Sequence, residues 1–204
     1  MSGAALELLD WRRRVAAVYA DVRAVYGGDP AEAHARWRTG RDALFGDHPQ
    51  SPLPGERRRL FRGLRHYPYD PALAFTTTVD TNVEPERHDV GMSGGEAMAF
   101  VRVGTMDLPV GRLDVFWLDA YGGGLFLPFR DATAGDTTYG GGRYALDTVK
   151  GADLGSTPSG GLVVDLNFAY HPSCHYNAAW SCPLAPPGNR IDARVEAGEQ
   201  AFDG

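Results

Sequence analysis

At Pro71 the hydrophobic period of this chain changes from that of a helix to that of a strand, so the two parts cannot share one class of secondary structure. Before Pro71, Leu8, Trp11, Val15, Val18, Val22 and Val25 recur three or four residues apart and form one stripe of an amphipathic helix, which Gly27-Gly28 ends. Asp29-Pro30-Ala31-Glu32 then supplies an N-cap, a proline at the first helical position and a glutamate at the third, predicting a second helix through about Phe45 with Gly46 as its stop. Ser51-Pro52-Leu53 opens a short third helix with Leu60, Phe61 and Leu64 inward, and Tyr67-Pro68-Tyr69-Asp70-Pro71 breaks the helical period.

Beyond Pro71, β-branched and aromatic residues between glycine clusters predict strands near 73–80, 87–92, 97–103, 108–119, 123–128, 143–149, 161–169 and 191–196. The expected fold is therefore α+β and mainly β. An antiparallel barrel or sandwich over residues 70–204 packs against two or three helices from residues 1–69, all within one domain spanning 1–204. At 204 residues and 43% hydrophobic content, such a domain buries a core without disulfides or metal.

Charge and cysteine usage narrow the class further. Residues 1–69 carry twelve arginines against eight acids, whereas the remainder carries eight basic residues against eighteen acids, so the two parts attract. The arginines lie on amphipathic helices with acids interleaved and lack the aromatic pattern of a single-strand binder, which argues against nucleic acid as a partner. No stretch has the apolar length to cross a bilayer, and Cys174 and Cys182 are too few for a secreted disulfide scaffold; both point to a cytoplasmic protein away from membranes. Lys150 is the only lysine, and it reads as compositional bias toward arginine.

Three segments depart from ordinary strands and turns. They are Phe129-Arg130-Asp131-Ala132-Thr133 through Gly140-Gly141-Gly142-Arg143-Tyr144, then Asp165 to Pro172, then Cys182 to Arg190. In order and spacing they resemble a bacterial family of unknown function, the domain family numbered 1684, and the resemblance extends to Ser51-Pro52-Leu53 and the Phe61 to Leu64 stretch. It implies one domain and brings no reaction with it.

On a strand from Leu162 to Tyr170, Asp165 and Asn167 share a face with the small residue Ala169, which leaves room for a ligand in a barrel mouth. Arg130, Asp131 and Arg143 flank a glycine turn holding Tyr139, and arginine forks suit a carboxylate or phosphate. The expected function is thus binding of, and catalysis on, a small polar or anionic molecule. Asp165 or His171 would handle a proton, with Tyr139 and Asn167 donating to developing charge. Arg130, Asp131, Arg143, Asn167 and Arg190 would hold the substrate. A structural network of the same residues, a non-catalytic interaction module and a flavin-binding barrel are the competing readings. His171, Cys174, His175 and Cys182 have zinc-ligand identities, but His-x2-Cys-His-x6-Cys lacks a paired C-x-x-C, so no metal is expected.

Overall fold

The computed structural model describes residues 2–95 and 97–202. Helices α1 (Ser2–Tyr26), α2 (Pro30–Asp47) and α3 (Gly55–Leu60) precede strands β1 (Ala74–Thr77), β2 (Glu86–Gly91), β3 (Ala97–Leu108), β4 (Gly111–Leu118), β5 (Gly124–Phe129), β6 (Arg143–Asp147) and β7 (Leu162–Asp165), and a single turn, α4 (Ser173–Tyr176), follows. Strands β2 to β6 form an antiparallel meander in sequence order, and β1 pairs with β7 in a second, two-stranded sheet. The five-stranded sheet ends at β2 and β6 without closing, so the architecture is sandwich-like α+β and the barrel alternative is set aside.

The α2 cap forms as its sequence predicts, with Asp29 accepting from the Glu32 backbone N–H at 3.0 Å and Pro30 at the first turn. The Glu32 side chain, however, pairs with Arg36 four residues on rather than reaching back to the cap. Where α1 crosses α2, a Cβ at Gly40 would sit 2.5 Å from a methyl of Val18, so glycine is what permits the close approach. Leu60, expected inward, is 69% exposed, while Phe61 and Leu64 join the cluster around Phe45, Leu53 and Tyr176.

Alternation along the strands buries both faces of the large sheet. Phe100, Phe116, Phe126 and Tyr144 meet Tyr19, Val22 and Trp37 of the helices, whereas Val115, Leu127 and Leu146 pack on the opposite side with Val164, Ile191 and Val195. Trp37 is fully buried at this seam and donates from its indole N–H to the Tyr19 hydroxyl at 3.1 Å. Trp37→Ala should therefore cost about 3–5 kcal/mol in a denaturant titration. A loss below about 1 kcal/mol would mean that the helices are dispensable to the core.

Three strand expectations change. The two predicted at 97–103 and 108–119 meet at Pro109-Val110 instead, because β3 runs through a bulge at Gly104, where Asp80 and Val79 lie too close for any Cβ. The strand predicted at 161–169 ends at Asp165, whose side chain accepts the Asn167 N–H and turns residues 166–168 into a 3-10 helix. Residues 191–196 form no strand. Val195 gives its N–H to Asp131 at 2.7 Å and its carbonyl to Arg143 at 2.9 Å, so side chains take the bonds a ladder would use.

Candidate functional site

The eight residues expected to form one site fall into separate groups. Asp165 is fully buried, with one oxygen accepting from the Asn167 N–H and amide at 2.9 and 2.8 Å and the other from the hydroxyls of Tyr26 and Tyr69 at 2.9 and 3.2 Å. Asn167 in turn clasps the backbone of Asp70 through both ends of its amide. Burial pushes the Asp165 carboxyl above its ordinary range, and these donors oppose that rise. This cluster ties the 3-10 turn to α1 and to the segment that breaks the helical part.

Arg143 is also fully buried. It pairs with Asp131 at 3.1 Å, bonds the carbonyls of Val195 and Ala197, and lies over the Phe129 ring. Asp131 further accepts from the Thr133 N–H and hydroxyl and from Val195 N–H. Arg143 and Asp131 thus fasten the C-terminal stretch against β5 and β6. Arg130 joins them only in sequence: its side chain packs against the Gly142 turn, and its Nε has no hydrogen-bond partner among the described residues. Arg190 is exposed and stands 3.6 Å from Asp192.

Tyr139 and His171 do meet. The Tyr139 N–H donates to His171 Nε2 at 3.2 Å, and its hydroxyl lies 3.8 Å from the Cys174 sulfur. Burial pushes His171 well below the usual histidine range, with His175 and Arg143 adding to the effect, so the ring is neutral. Because Nε2 accepts, the ring proton is on Nδ1, which has no hydrogen-bond partner among the described residues and stands 3.8 Å from Glu199. His175 Nε2 likewise accepts a backbone N–H, from Phe202, so the histidines and cysteines of this loop do not converge on one point. No group of three or more metal-ligating side chains occurs among the described residues.

Sequence reasoning missed the hub of this region. Glu199 is fully buried and accepts two bonds from Arg41 at 2.6 and 2.7 Å on one oxygen, and the His171 N–H and Tyr176 hydroxyl, both at 2.8 Å, on the other. The Arg41 guanidinium lies 4.8 Å over the Tyr170 ring and about as close to Trp37 and Phe45. Nothing in the polar stretch around Glu199 marks it as a core residue.

Arg41 and His171 both face a cavity of about 300 Å³ between the helices and the C-terminal loops. Its wall is largely apolar and aromatic, from Leu8, Trp11, Val15, Tyr19, Phe45, Tyr170 and Trp180. Arg12, Arg41 and Lys150 supply its charge, Gln50, Ser173, Ser181 and Cys182 supply smaller polar groups, and no carboxylate among the described residues lines it. Arg41 is neutralised by Glu199, but Arg12 and Lys150 have no ion-pair partner among the described residues. Of the eight expected residues, His171 alone lines this cavity. A second, shallower groove between α1 and α2 holds only the mutually paired charges of Asp21, Glu32 and Arg36.

An open antiparallel sheet under a helical layer, with a basic aromatic cavity at their seam, defines the class of this protein. The chain belongs to the DUF1684 family of proteins of unknown function, whose model matches residues 59–200. It is similar to an uncharacterised protein of Haloarcula marismortui solved by solution NMR, at 34% identity over 80% of this chain and 89% of that one, with a TM-score of 0.53. No curated protein matches the chain. No helix among the described residues is long and apolar enough to cross a membrane.

Proposed function

We propose that the protein binds a small amphipathic anion in the cavity between its helices and C-terminal loops. The observation that carries this reading is the wall itself, in which Arg12 and Lys150 stand beside aromatic and aliphatic side chains with no lining carboxylate among the described residues. Arg12 and Lys150 are exposed, so their charges would meet an anionic head at the solvent side of the cavity, while the aromatic wall takes an apolar body. His171 is no proton carrier in this reading, since burial holds its ring uncharged. Asp165, Asn167, Asp131 and Arg143 have no part in the reading, because their own partners occupy them.

Trp180 is about one-third exposed and belongs to the cavity rim, which favours a pocket over an apolar docking patch at that loop. Trp11 and Trp180 report directly on occupancy. Decanoate should change their fluorescence saturably, and decanol of the same chain length should bind far more weakly. Lys150→Gln is expected to weaken decanoate binding roughly three- to tenfold with the melting temperature unchanged, since it removes one exposed charge. Equal affinity for acid and alcohol, or full affinity in Lys150→Gln, would count against anion binding.

A further inference from the structure

Cys174 on α4 and Cys182 on the following loop are both free and buried, and they lie against each other. The Cys174 backbone N–H donates to the Cys182 sulfur at 3.3 Å, and the Tyr139 hydroxyl lies 3.8 Å from the Cys174 sulfur. Ser93 completes the frame, accepting the Cys182 N–H at 2.9 Å and donating to the Trp180 carbonyl at 3.0 Å. Seven residues separate the two cysteines, so closing a ring between them orders little additional chain. Cys182 also lines the basic cavity, which gives a small reagent a path to an otherwise buried pair.

We propose that Cys174 and Cys182 are a thiol–disulfide site that a small hydroperoxide oxidises reversibly to an intramolecular disulfide in the cavity wall. Hydrogen bonds aimed at Cys174, the one from Cys182 first, hold its thiol below the ordinary range, and the same bond pushes Cys182 above it. Cys174 is the more exposed of the two, 9% against 2%, and has the Tyr139 hydroxyl at its sulfur, so it is the nucleophile and Cys182 the resolving thiol. The Cys174 thiolate attacks a peroxide oxygen, the O–O bond breaks, and the alkoxide leaves as the alcohol after taking a proton. The Cys182 sulfur then attacks the sulfenic sulfur and displaces hydroxide, which leaves as water once protonated. In sum, two thiols and ROOH become one disulfide, ROH and water, with two electrons passed from sulfur to the peroxide.

The test treats the reduced, full-length protein with hydrogen peroxide and counts thiols under denaturing conditions. Both thiols should disappear together, the intact mass should fall by about 2 Da as two hydrogens are lost, and dithiothreitol should restore both values. The product should be monomeric on a non-reducing gel. Cys174→Ser should slow loss of the remaining thiol by roughly tenfold or more, whereas Cys182→Ser should let Cys174 proceed to sulfenic and sulfinic acids. Thiols that survive peroxide in the wild-type protein, disulfide-linked dimers, or a wild-type oxidation rate in Cys174→Ser would each overturn the proposal. Thiols are counted without any cavity ligand, so this result is independent of the anion-binding reading.

Discussion

Stability should fall steeply as the pH drops from about 7 to 5, because three buried histidines are neutral in the folded protein and charge on unfolding. Burial lowers His34 to about 4 and His66 to about 3, with neighbouring arginines helping in both, and it carries His171 well below the ordinary value of 6.5. A histidine depressed in the fold leaves the unfolded chain holding more protons, so its stabilising contribution is complete above about pH 6.5 and is lost as pH falls toward the folded value. Each contributes about 1.4 kcal/mol per pH unit across that window, and all three together approach 4 kcal/mol per unit. Asp42, Asp147 and Asp165, raised by burial, work in the opposite sense but only nearer the carboxylate range. Denaturant midpoints measured between pH 5 and 8 test this. His66→Gln should reduce the slope by about one proton's worth, and a flat profile would mean that the histidines are solvated or charged in the fold.

Arg143→Met should destabilise the protein by about 3–5 kcal/mol, since it strands Asp131 in the core and leaves the carbonyls of Val195 and Ala197 without their donor. Binding in the cavity should survive at temperatures where the variant is folded, because Arg143 does not line it. Arg143→Lys should recover only part of the loss, as a single ammonium cannot reproduce the fork that meets Asp131 and two carbonyls at once. This reverses the expectation from sequence, under which an arginine beside a glycine turn grips a ligand. The comparison of melting temperature with decanoate affinity separates the two: lost binding at unchanged stability would return Arg143 to a ligand site.

The unusual polar residues, expected to share one site, fall into separate clusters in the fold. Asp131, Arg143, Asp165 and Asn167 do break the economy of strands and turns, but they do so to satisfy buried backbone where regular structure stops, at the 3-10 turn after β7 and along residues 191–199. From sequence, a polar residue that closes a gap in the core and one that awaits a ligand look alike. What distinguishes them is whether their hydrogen-bonding capacity is already filled, and that depends on segments far away in the chain. Arg41 and Glu199 make the point from the other side, being 158 residues apart and unremarkable in their own surroundings.

Local chemistry was enough for the elements that depend on neighbouring residues. The helical stripe of α1, the Asp29-Pro30 cap of α2 and the period-two runs of β2 to β6 are legible because spacing and capping act within a few residues. That the sheet stays open, the burial of Glu199, the meeting of Cys174 with Cys182 and the cavity between α1, α2 and the C-terminal loops required the folded chain. Each is set by which distant surfaces exclude water together, and an amphipathic pattern says that a face will be buried without saying against what.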